Sequence, residues 1–312
     1  MKITEDLYMK ENKASMTSLL SSFGRAYHSK YDTPVIFDDF MAQDLISEKE
    51  HSDIRDHLIQ GISFFSKDMA QRLQGQPDDI LKWVTQVQLS PTPLARAAYC
   101  EEVLLNEVKL GAKQYVILGA GLDTFCFRHP EMTNVLDIFE IDHPASQEDK
   151  INRLKHLNLD ISHFLHFVPM DFAASLSFSR LYQEGFSRQK TFFSLLGVSY
   201  YLTKEHLARL LTQLFAEVPP GSSIVFDYAD ESLFEERGLS NRVENMVKMA
   251  AAGGKPMLSC FSYKEIEKIL ESSGLLIYEH VSPADVNDRF FSGRTDHLTA
   301  FETIHYIHAV KK

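Results

Sequence analysis

The stretch 115-YVILGAGLDTFCFRHP-130 decides how the rest of the chain is read. An apolar run, Tyr115 to Leu118, breaks into Gly119-Ala120-Gly121, and an acid, Asp123, follows. Strand-then-glycines marks a turn that a nucleotide can approach closely, because glycine has no Cβ and accepts positive φ. A full dinucleotide fingerprint needs a third glycine at position 124, and Thr124 stands there. Two glycines alone also suit an ordinary strand-to-helix turn, so the reading depends on the segments that follow.

Those segments alternate. Short apolar runs recur at 114-QYVILG-119, 135-VLDIFEI-141, 164-FLHFVPM-170, 191-TFFSLLG-197 and 222-SSIVFDY-228, separated by helix-length polar stretches. Near-continuous apolar runs are what a parallel sheet covered on both faces requires. After Thr203, an N-cap, residues Leu207, Leu210, Leu211, Leu214 and Phe215 form a single helical stripe. In 261-FSYKEIEKILESSGL-275, Ser262 and Glu265 form a capping box, Phe261 and Ile266 a staple, and Gly274 the left-handed cap. The runs 275-LLIYEHVS-282 and 301-FETIHYIHAV-310 follow with no crossover helix between them, which predicts an antiparallel pair. Residues 1–110 show no strand and read as a helical cap, with one helix from the low 80s to 110 leading into the sheet. Residues 229–260 are too long for a simple loop and read as a helical lid over the sheet's C-terminal edge.

The strand ends carry the chemistry. In 138-IFEIDHP-144 a second strand ends in Glu140 and Asp142, about twenty residues after the glycines, where a carboxylate accepts the hydroxyls of an adenosine ribose. The plain alternative is that Asp142 caps the helix opened by Pro144. A third strand ends in 168-VPMDF-172, where Asp171 can accept the adenine amino group and Phe172 cover the ring, or where a turn-forming Asp precedes a core Phe. NAD and S-adenosylmethionine share this adenosine. The missing third glycine, the antiparallel end of the sheet and the lack of a second βαβαβ half favour the sulfonium cofactor.

At this point the chain resembles the leucine carboxyl methyltransferase family, particularly its bacterial S-adenosylmethionine-dependent O-methyltransferase members. The resemblance runs through 115-YVILGAGLDTFCFR-128, 139-FEIDHPASQEDK-150, 168-VPMDF-172, 192-FFSLLGVSYYLT-203 and 293-GRTDH-297, with 94-LARAAYCEE-102 and 16-MTSLLSSFGRAYHS-29 upstream. It implies a class I methyltransferase-like Rossmann sheet of five parallel strands plus a terminal antiparallel hairpin. An N-terminal helical cap over 1–110 and a cofactor-binding domain over 111–312 go with it. Carried over residue by residue, it implies that Arg96 pairs with the methionine carboxylate of the cofactor. Gly119, Ala120 and Gly121 would lie beside the cofactor, Asp142 with Glu140 at the ribose, and Asp171 with Phe172 at the adenine. Arg25 matches a basic residue near the cofactor carboxylate. Many members carry a glutamate where this chain has Leu196, so backbone from Leu195 to Gly197 is left to serve there.

Methyl transfer from a sulfonium is an in-line displacement in which positioning supplies much of the rate. A carboxylate acceptor, ordinarily ionised above pH ~4, needs no base, whereas an alcohol or phenol does. No side chain stands out as catalytic. His143, His206 and His297 are candidate bases, and Tyr200, Tyr201, Arg294 and His297 are candidates for the acceptor pocket. The expected acceptor is a carboxylate or hydroxyl on a small molecule. The alternatives are an NAD-dependent oxidoreductase and a protein that binds S-adenosylmethionine without turnover.

Composition narrows the field further. The chain of 312 residues is 44% hydrophobic, enough for a substantial core, and its net charge of −11 argues against a nucleic-acid partner. Cys100, Cys126 and Cys260 lie far apart with no CxxC, so neither a disulfide framework nor a metal site is expected. The N-terminus MKITEDLYMKENK has no apolar segment for a signal peptide, and the run 191-TFFSLLGVSYYL-202 is too short to span a bilayer. A cytoplasmic protein is therefore expected, with no membrane partner.

Overall fold

The computed structural model describes residues 16–172 and 176–312; the charged N-terminal segment lies outside the described residues. Seven strands form one sheet: β1 (Gln114–Leu118), β2 (Asp137–Asp142), β3 (Leu165–Pro169), β4 (Thr191–Leu195), β5 (Ser223–Ala229), β6 (Leu275–Val281) and β7 (Ile304–Lys311). Their order is β3-β2-β1-β4-β5-β7-β6. The first five are parallel, and β7 runs antiparallel to both β5 and β6. The expected terminal hairpin is present, with the last strand slotted between β5 and β6.

All five residues of β1 and of β4 are buried, as are all seven of β5, which explains their unbroken apolar sequences. Because side chains alternate along a strand, each face collects its own core. Tyr115, Ile117, Ile138, Phe192 and Val225 pack on one side, and Val116, Leu118, Phe139, Phe193 and Phe226 on the other.

Eight helices matter for the site: α1 (Met16–Tyr31), α2 (Glu48–Gln60), α3 (Pro77–Val84), α4 (Pro91–Lys109), α5 (Pro144–His156), α6 (Lys204–Ala216), α7 (Arg242–Ala252) and α8 (Tyr263–Ser272). The stripe on α6 is buried as its spacing predicts, and Thr203 Oγ1 caps it by accepting from His206 N at 3.2 Å. Burying those five side chains contributes roughly 1.5–3 kcal/mol each as an upper estimate. Both halves of the capping box on α8 are present, and Gly274 takes φ +76° beyond it.

The single helix expected from the low 80s to 110 is divided. A π-helical turn, Thr85–Leu89, separates α3 from α4, and Pro91 opens α4. Proline has no N–H to give to a continuing ladder, so a new helix starts there. The helices before the sheet pack through Leu19, Phe23, Ile54, Leu58, Trp83 and Val84 onto Leu122 and Leu154, beside the C-terminal ends of β1 and β2. No helix among the described residues is long and apolar enough to cross a membrane.

Candidate active site

A cleft of about 520 Å³ opens across the C-terminal ends of β1, β2, β3 and β4. Its floor is the glycine turn. Gly119 and Gly121 have φ of +76° and +53°, conformations that favour glycine. A Cβ on Gly119 would stand 2.7 Å from Val198 Cγ2, and one on Gly121 would collide with Ser18 Oγ. These glycines are therefore imposed by close packing on both flanks. Asp123 fixes the turn locally: its Oδ1 accepts from Phe125 N at 2.8 Å, as an acid does in an Asx turn.

Asp142 closes the next strand and lines the same cleft. Its carboxylate accepts from Gly121 N at 2.6 Å and from its neighbour His143 N at 2.6 Å, tying the end of β2 to the glycine turn. A carboxylate has about four lone-pair positions, so two remain for a ligand. Asp171 and Phe172 line the cleft at the end of β3, with Phe172 packing beside the Gly119 turn.

Arg96, on the first turns of α4, borders the cleft from the opposite side. Its Nη1 donates to Tyr200 Oη at 3.2 Å and to Asp227 Oδ2 at 3.3 Å, and Asp227 Oδ1 accepts from Gly197 N at 2.6 Å. Asp227 thus orients the guanidinium and the turn after β4 together. Gly197, at φ +72°, leaves the space that the guanidinium fills. Burial opposes the Arg96 charge, but Tyr200 and Asp227 outweigh it and hold the group firmly protonated. Burial pushes the Tyr200 hydroxyl well above its ordinary range, so it is a neutral phenol at physiological pH.

The structure brings Arg96, Gly119, Ala120, Gly121, Asp142, Asp171, Phe172, Leu196 and Tyr201 to one cleft, along with Arg25 and His143. Four of the expected residues, Glu140, Tyr200, Arg294 and His297, fall outside the cleft's lining. Glu140 shares a strand face with Asp142 but lies one repeat deeper, and its Oε2 accepts from Lys150 Nζ of α5 at 2.5 Å with both side chains buried. It is a core ion pair, outside the cleft's lining. Tyr200 lies outside this cleft's lining, accepts from the guanidinium that borders it and lines a smaller adjoining chamber. Arg294 is spent on Asp296 and on Pro34 O, at 2.6 Å, so it anchors the terminal loop. His297 gives its backbone N–H to Gln86 Oε1 at 3.3 Å and stays outside the cleft lining.

Several lining residues escaped sequence reasoning. Thr17, Ser18 and Ser21 come from α1, and Lys255, Pro256 and Leu258 from the segment after α7. Asp227 is visible as an acid inside the apolar run 222-SSIVFDY-228, a signal that a strand assignment passes over. Arg25 is held by Asp39 at 2.7 Å, Ser21 at 2.8 Å, Ser22 at 3.1 Å and Leu122 O at 2.9 Å, so most of its donors are committed within the protein.

Residues 18–215 match the family model described as leucine carboxyl methyltransferase. The chain belongs to the leucine carboxyl methyltransferase family. A Bacillus subtilis (strain 168) protein, YktD, named a candidate S-adenosyl-L-methionine-dependent methyltransferase, is 69% identical over 304 residues, spanning 97% of this chain and 100% of the relative. Rv1729c of Mycobacterium tuberculosis (strain ATCC 25618 / H37Rv), named in the same way, is 28% identical over 236 residues, covering 74% of this chain and 71% of its own. Among solved structures, a DUF574 family protein from Streptomyces avermitilis superposes with a TM-score of 0.54 at 14% identity, covering 80% of this chain and 90% of that one, a likeness of fold. Family membership removes the oxidoreductase alternative.

Proposed function

We propose that the protein is an S-adenosylmethionine-dependent methyltransferase that methylates an oxygen, preferably a carboxylate oxygen, of a small molecule. The observation that carries this reading is the alignment of three strand ends along one cleft wall, with a partly buried, charge-balanced arginine at the far side. Asp142 accepts the ribose hydroxyls with its two remaining lone-pair positions. Phe172 covers the adenine face, and Asp171 accepts its amino group. Gly119 and Gly121 allow the ligand to lie against the backbone. Arg96 pairs with the carboxylate of the amino-acid end, where a guanidinium fork suits a bidentate partner.

The fit rests on residues of this chain alone: a cradle where a Cβ cannot stand, an acid in register with it, and an oriented guanidinium opposite. When bound, S-adenosylmethionine supplies a methyl group on a cationic sulfur, and transfer to a carboxylate breaks S–C, forms O–C and leaves a neutral thioether and a neutral ester. The protein's part is to orient the two reactants and exclude water. Its residues favour an acceptor that is already ionised. Tyr200 holds its proton, and His143 sits beside Asp142 at the ribose end of the cleft. Tyr200, although beside Arg96, keeps its proton, His143 lies at the other end of the cleft, and a carboxylate requires no base.

Incubation with methyl-labelled S-adenosylmethionine and a deproteinised, low-mass cell extract tests this reading. The expected product is a small molecule whose label is released by mild alkali, as from an ester. Label that resists alkali would move the acceptor to a hydroxyl or nitrogen. Binding without any turnover would favour the non-catalytic alternative.

A further inference from the structure

Arg96 also borders a second space. A chamber of about 140 Å³ lies between α1, the start of α4, α7 and the turn at 199–201. It shares Thr17, Ser21, Pro93, Arg96, Gly197 and Tyr201 with the main cleft, so the two spaces adjoin along α1 and the guanidinium. Their chemistry differs. The cleft presents Asp142, Asp171, Arg25 and Arg128, whereas Arg96 is the one charged residue in the chamber's lining among the described residues. That charge is already balanced by the buried Asp227. The apolar part of the wall is Met246, Met249, Ala250, Phe301 and Leu20, with the Tyr200 ring, and its other polar members, among them Thr17, Ser21, Gln88 and Thr92, are uncharged. An ionic group placed there would be desolvated without a partner, a heavy cost.

Size and polarity then narrow the occupant. A dry protein cavity of ~150 Å³ is known to hold one benzene molecule. Methionine side chains can adjust around such a guest, since the thioether is flexible and polarisable.

We infer that this chamber receives the body of the methyl acceptor, and that this body is an uncharged group the size of a single six-membered ring. The inference rests on the methyl-transfer reading above and adds the substrate class to it. The acceptor's oxygen meets the cleft at Arg96 and Gly197, while its ring or ring-sized alkyl group sits among Met246, Met249, Ala250 and Phe301.

The test uses the full-length protein with and without S-adenosylhomocysteine, followed by calorimetry and ligand-observed NMR. Phenylacetate and benzyl alcohol are the one-ring probes, naphthylacetate the two-ring probe and succinate the doubly charged one. At least one single-ring probe should bind saturably to the loaded protein, with naphthylacetate and succinate weaker by at least about tenfold. Ala250→Phe fills the chamber and should weaken the one-ring probe by at least about tenfold, with affinity for S-adenosylhomocysteine within about twofold of wild type. Met249→Ala enlarges the chamber and should narrow the preference for one ring over two. Unchanged probe binding in Ala250→Phe, no size preference, or no binding by either one-ring probe would overturn the assignment. Failure of S-adenosylhomocysteine to bind wild type would overturn the cofactor reading instead, and probe binding to the unloaded protein reads the chamber independently of it.

Discussion

Two acids two residues apart, Glu140 and Asp142, have opposite fates in this fold. Asp142 sits at the strand end, ties down Gly121 and faces the cleft. On the proposed ribose contact, Asp142→Ala would remove charge-assisted hydrogen bonds each worth about 1.5–3 kcal/mol, so S-adenosylhomocysteine should bind about 100-fold or more weakly by calorimetry, with the far-UV circular dichroism unchanged. Glu140, one repeat inward, is fully buried against Lys150, and burial pushes its carboxyl up to about 7 despite that partner. Lys150→Met leaves the acid alone in the core, which should cost about 3–5 kcal/mol in denaturant unfolding at pH 8. The cost should shrink towards pH 5. A carboxyl whose folded pKa is raised binds its proton more readily in the folded state, so its stabilising contribution is present at low pH and lost as pH rises through the folded value. Adding Glu140→Gln should recover most of the loss. Sequence distinguished neither acid, because the pattern gives a residue's strand but not its depth under the covering helix.

Whole elements were easier to read than their ends. The five parallel strands, the α6 stripe, the α8 capping box and the antiparallel final pair all follow from periodicity and caps in the sequence, because each is decided by neighbours a few residues away. The π-helical break before α4 was not legible, since Thr85–Leu89 itself holds no glycine or proline to mark it. The slot of β7 between β5 and β6 was equally hidden, because pairing partners far apart in sequence leave no local mark. That slot buries His308, whose Nε2 has no hydrogen-bond partner. Burial lowers its pKa from 6.5 to about 4, with Glu107 opposing the shift. A histidine with a depressed folded pKa takes up a proton on unfolding, so stability is lost as pH falls from about 6.5 towards 4, by a few kcal/mol at most. Replacing it as His308→Gln should flatten that part of the stability–pH curve. An unchanged slope would assign the acid sensitivity to other groups.

Across the molecule, the site is assembled from segments nearly the full length of the chain apart. Thr17 and Ser18 of α1, Arg96 of α4, the β1 turn, the ends of β2 to β4 and Lys255 beyond α7 all reach one cleft. The sheet half of this site was readable, since open α/β sheets bind ligands at the C-terminal ends of their strands. The helical half was not, because a helix shows which face is buried but not which strand end it covers. For the same reason Arg294 and His297 were misplaced: the terminal loop turns towards Pro34 and Gln86 instead of the cleft. The central claim is that this cleft holds a sulfonium nucleoside. Calorimetric titration of the full-length protein with S-adenosylmethionine, S-adenosylhomocysteine and NAD tests it most directly. Saturable one-to-one binding of both sulfur compounds and none of NAD is the predicted result; NAD binding with no response to either sulfur compound would contradict it.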